Sequence, residues 1–165
     1  MSPLKIIIAD DHTAVRRSLR LLLECDLEID VVAETSDGLE TIRAVQALQP
    51  DLLLLDIKMP QMSGLEVLQY LRNEKHPLGI IILSNHCEQL YIAAALRLGA
   101  DAFVTKAEGV GPLLEAILLV RNRVAMSPKT PTRHPGGQDA GRCGRLLSET
   151  RAELHQTQRD WHEAG

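Results

Sequence analysis

The amino-acid sequence predicts an α/β fold with an open, doubly wound, five-stranded parallel sheet. Short β-rich runs alternate with helical patterns through residues 1–126, and the runs DLLLLD and GIIILS are apolar on both faces. Strands of this kind are typical of parallel sheets that are covered by helices on each side. Five successive strand–helix units are compatible with the common strand order 2-1-3-4-5.

The individual elements follow from local patterns. Strands are predicted at residues 4–9, 29–34, 51–55, 79–83 and 102–105. Capping-box spacings predict three helix starts, at Asp37 with Glu40, at Ser63 with Glu66 and at Asn85 with Glu88. Pro112 is expected at the first position of the fifth helix, and Gly99 is expected to end the fourth.

Composition limits the classes of function. The chain has 165 residues, of which 45% are hydrophobic, which supports one domain with a substantial core. Its net charge of −4 and its aromatic content of 2% do not fit a nucleic-acid binder. The three cysteines form no CxxC pair, which favours a reducing compartment over a zinc site or a disulfide framework. No apolar stretch approaches the roughly 18 residues of a membrane span, so we expect a cytoplasmic protein without membrane contact.

A change in composition predicts three segments. Residues 1–126 form the predicted folded domain, with a net charge of −5, whereas residues 127–165 carry +1. Residues 127–145 contain three prolines and four glycines but no branched aliphatic or aromatic side chain, which predicts a flexible linker. Residues 146–165 form a short tail, in which Leu147, Leu154 and Trp161 repeat every seven residues. The alternatives for this tail are one docked helix or a marginal, disordered segment.

Polar side chains follow four predicted strands, where each strand ends. They are Asp10, Asp11, Asp56, Ser84, Thr105 and Lys106. In the order 2-1-3-4-5 these strand ends share one edge of the sheet, so the side chains should converge. Each has a simpler interpretation by itself, because Asp and Ser often cap helices and a lysine is often solvated. However, carboxylates about 4–6 Å apart repel by a few kcal/mol per pair, which favours a divalent cation and Lys106 among them.

Four stretches together resemble the receiver domain of two-component response regulators, most closely the NarL/FixJ branch. They are IIIADDHTAVRRSL, DLLLLDIKMPQMSGLEVL, IILSNH and LRLGADAFVTK, and the resemblance covers residues 4 to about 122. It implies a flavodoxin-like sheet with Asp56 as the phosphoryl acceptor and Lys106 as the conserved lysine. Ser84 and Phe103 would occupy the hydroxyl and aromatic switch positions. A core aromatic is the alternative interpretation of Phe103.

The resemblance also implies a magnesium site. Asp10 and Asp11 would be the acidic pair, and Asp11, Asp56 and the main-chain carbonyl of Lys58 would be ligands, with Asp10 acting mostly through water. Lys106 and the Ser84 hydroxyl would bond phosphoryl oxygens. The expected donor is the phosphohistidine of a histidine kinase, and such a transfer depends mainly on positioning and charge stabilisation.

Two classes of function stay open at this point. One is a phosphorylation switch that acts on an unknown output protein or DNA-binding partner, with a phosphorylation-dependent homodimer as a further expectation. The other is a truncated or altered NarL/FixJ-type transcription regulator, because a tail of about twenty residues holds one helix and a helix-turn-helix needs more. We expect no direct DNA binding by this chain. An independent enzyme is disfavoured because GxxxxGK[ST], HExxH and a complete dinucleotide fingerprint are missing.

Overall fold

The computed structural model describes residues 3–25, 28–85 and 89–126. Within these ranges five parallel strands form one sheet in the order β2-β1-β3-β4-β5. The predicted fold class and strand order are therefore confirmed. The predicted linker and tail, and Glu88 of one predicted capping box, lie outside the described residues.

Strands and helices alternate along the chain, as the pattern predicts. The strands are β1 (Leu4–Ala9), β2 (Ile29–Thr35), β3 (Leu52–Asp56), β4 (Gly79–Ser84) and β5 (Ala102–Thr105). The helices are α1 (Thr13–Leu23), α2 (Gly38–Leu48), α3 (Gly64–Asn73), α4 (Gln89–Arg97) and α5 (Val110–Met126), with a 3₁₀ turn at Lys106–Glu108.

Three strands run one residue further than their predicted ends. β2, β3 and β4 end at Thr35, Asp56 and Ser84, because these polar residues still pair with the neighbouring strand. Apolar patterning stops at the last aliphatic residue, whereas the hydrogen-bonded ladder does not depend on the side chain. Two candidate site residues, Asp56 and Ser84, are therefore held inside the sheet.

Two helix starts and the end of α4 follow the predicted signals, whereas the start of α5 differs. Ser63 and Glu66 form a reciprocal capping box, and the Asp37 side chain accepts a hydrogen bond from the Glu40 amide. Gly99, with φ of 93°, follows the end of α4 in the left-handed region that favours glycine. Pro112 is the third residue of α5 and not the first. A proline fits there because amides of the first helical turn have no intrahelical acceptor.

One hydrophobic core lies between the sheet and the two helices α1 and α5. Alternate strand residues such as Ile6, Ile8 and Leu54 pack there against Leu23 of α1 and Ile117 of α5. The intervening strand positions point to the opposite face. Both faces of the sheet are buried, so a site that solvent and ligands can reach is expected at the polar strand ends. None of the described helices is both long and apolar enough to cross a bilayer.

Candidate functional site

Lys106 joins two carboxylates at the carboxyl edge of the sheet. Its ammonium nitrogen lies 2.5 Å from Oδ2 of Asp10, which follows β1, and 2.7 Å from Oδ1 of Asp56, which ends β3. The side chains are 12%, 1% and 7% exposed for Lys106, Asp10 and Asp56, respectively. The fold thus brings together three residues from three separate strand ends in a largely buried cluster.

Burial and charge act in opposite directions on this cluster. Burial raises the pKa of the Asp56 carboxyl above its ordinary value, while Lys106 lowers it and the charge of Asp10 raises it further. For Lys106, burial favours the neutral amine, but the two carboxylates outweigh this and raise its pKa. One ammonium group therefore faces two carboxylates, and an additional cation would be electrostatically favourable there.

Asp11 lies on the solvent side of the same edge. Its side chain is 35% exposed, and its Oδ1 lies 2.6 Å from Nδ1 of His12. Asp10, Asp11 and His12 each offer one ligand atom, and these atoms lie within 4.8 Å of one another. Buried and exposed carboxylate oxygens next to each other fit Mg²⁺, which takes oxygen ligands and keeps several waters.

The loop after β3 is packed directly against Asp56. The amide of Lys58 donates to Oδ2 of Asp56 at 2.9 Å, and the amide of Gly64 donates to the carbonyl of Ile57 at 2.8 Å. A Cβ atom at Gly64 would collide with the main-chain oxygen of Asp56. The lack of a side chain at Gly64 therefore lets the start of α3 approach the backbone of Asp56.

Ser84 and Phe103 lie on one face of the sheet. Ser84 is 1% exposed and pairs with Thr105, whereas Phe103 pairs with Ile82, two residues before Ser84. Because side chains alternate along a strand, both point to the same face. Phe103 is half-buried.

The simpler interpretations of Asp56 and Lys106 do not fit the structure. The N-cap of α3 is Ser63, so Asp56 does not cap that helix. Lys106 is mostly buried and is not a solvated lysine.

Two residues near the cluster were not singled out by the sequence analysis. His12 contacts Asp11, and Arg16 donates through Nη1 to the main-chain oxygen of Asp10 at 2.5 Å. Both lie in the quoted stretch IIIADDHTAVRRSL. The sequence signal that could have identified them is their position, because the loop after β1 and the first turn of α1 lie next to the end of β1.

Comparison with known proteins connects this geometry with one family. The family model for the response regulator receiver domain matches residues 6–118. The nitrate/nitrite response regulator protein NarL of Escherichia coli is 40% identical over 118 residues, which cover 70% of this chain and 53% of that protein. The transcriptional regulatory protein YdfI of Bacillus subtilis is 34% identical over 125 residues, covering 75% of this chain and 58% of that protein.

A solved structure gives the same result. The DNA-binding response regulator of the LuxR family from Staphylococcus aureus has a TM-score of 0.69 and 30% identity, and the match covers 72% of this chain and 99% of that chain. The chain spans about half the length of the curated relatives it matches. By family match, identity and fold, the chain belongs to the response regulators of two-component systems and contains a receiver domain of the NarL/LuxR-like type.

Proposed function

We propose that this receiver domain accepts a phosphoryl group from the phosphohistidine of a histidine kinase onto Asp56. The observation that carries the proposal is the Lys106 ammonium group, 2.7 Å from Asp56 and 2.5 Å from Asp10. A carboxylate nucleophile next to a cation can meet a phosphate group whose negative charge the same cation neutralises.

The transfer is a substitution at phosphorus. A carboxylate oxygen of Asp56 bonds to the phosphorus atom, the phosphorus–nitrogen bond to the donor imidazole breaks, and the released electron pair stays on the imidazole nitrogen. Lys106 balances charge on the phosphoryl oxygens, and the Lys58 amide holds the second carboxylate oxygen of Asp56 at 2.9 Å. Positioning and charge stabilisation are the main requirements of such a transfer.

Magnesium fits the acidic edge of the site. Asp10, Asp11, Asp56 and the main-chain carbonyl of Lys58 would hold Mg²⁺, with Asp10 acting mostly through water. When bound, the ion neutralises charge on phosphoryl oxygens and orients them. The exposed side chain of Asp11 leaves this edge accessible to the ion.

Ser84 and Phe103 form the proposed switch. The Ser84 hydroxyl would donate to a phosphoryl oxygen on Asp56, since Ser84 is in β4, the strand that pairs with β3. Phe103 is on the same face and is half-buried, and its ring would change its exposure when Ser84 moves. Phosphorylation would thereby alter the surface near β5.

The proposed output is regulation of transcription through an unknown output protein or DNA-binding partner. The names of the curated relatives support this, since NarL is a response regulator and YdfI a transcriptional regulatory protein. We also propose a phosphorylation-dependent homodimer. The chemistry of this chain would be limited to its own phosphorylation and dephosphorylation, with no separate enzymatic activity.

Intact-mass measurement tests the proposal. The protein is incubated with Mg²⁺ and acetyl phosphate, and one acid-stable, base-labile phosphoryl group is expected. The adduct should be absent from Asp56→Asn and present in Asp30→Asn, in which an exposed strand aspartate is changed. Persistence of the adduct in Asp56→Asn would refute the assignment.

A further inference from the structure

Arg16 connects three parts of the protein around the start of α1. Its Nη1 donates to the Asp10 main-chain oxygen at 2.5 Å, and its Nη2 donates to Oγ1 of Thr13 at 3.2 Å. Its Nε lies 3.5 Å from Oε2 of Glu34 in β2. The side chain is only 13% exposed, so this guanidinium group is held inside the structure.

The loop that Arg16 contacts, residues 10–12, gives α1 no side-chain cap. His12 is the N-cap residue of α1, and its side chain makes no capping hydrogen bond. The first turn of α1 also has no acidic residue, whereas α2 and α3 have side-chain caps from Asp37 and Ser63. A loop without a local cap needs another source of order, and Arg16 supplies one hydrogen bond to the loop at Asp10 and one to Thr13, the first residue of α1.

The same loop sets the direction of both acidic side chains. The His12 amide donates to Oδ1 of Asp10 at 2.8 Å, and Nδ1 of His12 lies 2.6 Å from Asp11. A movement of the Asp10 carbonyl group would therefore move the carboxylates of Asp10 and Asp11 together. Arg16 has no direct contact with the carboxylate oxygens among the described interactions, so it acts on them only through the main chain.

We propose that Arg16 is a positioning residue for the cation-binding edge of the site. By fixing the Asp10 carbonyl group against β2, it holds the Asp10 and Asp11 carboxylates in the arrangement that binds Mg²⁺. This inference rests on the proposed function for the ion, but the ordering of the loop by Arg16 can be measured without it.

Arg20 provides a matched control. It lies one turn further along α1 and shares Glu34 with Arg16, at 3.1 Å, and it also pairs with Glu24 at 2.9 Å. None of its described bonds reaches the loop that contains Asp10. Loss of Arg20 therefore removes a comparable ion pair without releasing that loop.

The experiment compares Arg16→Ala, Arg16→Lys and Arg20→Ala with the unmodified protein. Amide hydrogen exchange of His12 is measured without metal, and Mg²⁺ affinity is measured by calorimetry. Both measurements are made at a temperature well below the thermal unfolding midpoint of every variant. In Arg16→Ala we expect exchange at His12 to accelerate and the Kd for Mg²⁺ to rise about tenfold, as for other residues that orient metal ligands. Arg16→Lys should lie in between, because a lysine has one point charge and no planar fork.

The outcomes separate this inference from the proposed function. In Arg20→Ala both values should equal those of the unmodified protein, even if the protein is less stable. The positioning role would be overturned if Arg16→Ala showed the same His12 exchange and the same Kd for Mg²⁺ as the unmodified protein. It would also be overturned if Arg16→Ala and Arg20→Ala changed these two values equally. If the unmodified protein binds no Mg²⁺, the proposed ion site fails, while unchanged exchange at His12 in Arg16→Ala would still refute the role of Arg16.

Discussion

The ammonium nitrogen of Lys106 lies 2.7 Å from Oδ1 of Asp56, although β4 lies between the strands that these residues follow or end. Two strand spacings separate β3 from β5, or about 9 to 10 Å. Only a long side chain that extends along the sheet edge can close this distance. In doing so, Lys106 loses most of its exposure and becomes the shared counter-ion of Asp56 and Asp10.

Asp56→Asn should stabilise the unphosphorylated protein at neutral pH. Burial is the main reason why the folded-state pKa of Asp56 is above 3.8. Between the unfolded-state pKa and the raised folded-state pKa, the folded protein therefore binds more protons than the unfolded chain. In this pH window the Asp56 carboxyl makes the free energy of unfolding fall as the pH rises. We expect Asn to increase the free energy of unfolding by about 1 kcal/mol above the window, since it removes a buried charge. Urea unfolding between pH 4 and pH 8 checks this, and a gain that grows as the pH falls would contradict it.

Lys106→Met should destabilise the fold because it leaves two buried carboxylates without their counter-ion. Removing one partner of a buried pair costs about 3–5 kcal/mol. The double variant Lys106→Met with Asp56→Asn should recover more of this loss than the about 1 kcal/mol that Asp56→Asn adds by itself, because only the Asp10 charge then stays unpaired. Urea unfolding of the single and double variants measures the interaction. A double variant as unstable as the sum of its singles would argue against shared charge pairing.

Asp11→Ala should remove the response to magnesium while the domain stays folded. The side chain is 35% exposed and contacts His12, so we expect a change in unfolding free energy within about 0.5 kcal/mol, as for surface positions. The increase in thermal stability on adding Mg²⁺, and phosphorylation by acetyl phosphate, should both be lost. An unchanged magnesium response would refute the ligand role, and extensive unfolding would indicate a structural role instead.

Gly64→Ala should disturb the loop that holds Asp56. The added Cβ would collide with the main-chain oxygen of Asp56 and lie 3.1 Å from Cα of Ile57, and neither backbone atom can move independently. We expect a loss of stability of about 1–3 kcal/mol, as for overpacked positions, together with slower phosphorylation.

The matched control is Gly111→Ala in the first turn of α5, where an added Cβ meets no atom within 4 Å. This change should alter stability by no more than about 1 kcal/mol, because the helix preference of alanine and the restriction that Pro112 places on the preceding residue act in opposite directions. Thermal unfolding and the rate of adduct formation measure both variants. Equal effects in both would show that the contact with Asp56 has no particular importance.

The phosphorylated chain should not bind DNA directly. Its net charge of −4 supplies little attraction for DNA phosphates, and pairing two acidic receiver domains would not create a basic surface. In anisotropy measurements at about 0.1 M salt we expect binding no tighter than millimolar, against nanomolar for competent specific binders. Micromolar, salt-sensitive binding that disappears on deletion of residues 142–165 would overturn this prediction.

The sequence alone determined the fold class and several element ends, and its resemblance to a known family supplied the strand order. Hydrophobic runs such as DLLLLD identify buried parallel strands, and caps such as Ser63 with Glu66 depend on nearby residues. The polar strand ends, together with the motif pattern, were enough to nominate Asp10, Asp11, Asp56, Ser84 and Lys106. These signals are local, and in a parallel sheet the strand ends that carry them lie along one edge.

Tertiary structure decided how those residues interact. Pairing of Lys106 with both Asp10 and Asp56 depends on strand spacing and on the burial of three charges. The contact of Gly64 with the Asp56 backbone and the bond from Arg16 to the Asp10 carbonyl depend on how α3 and α1 approach their loops. Side-chain direction and charge balance at this edge arise from contacts across strands and between a helix and the loop before it, and hydrophobic and capping patterns do not encode these contacts.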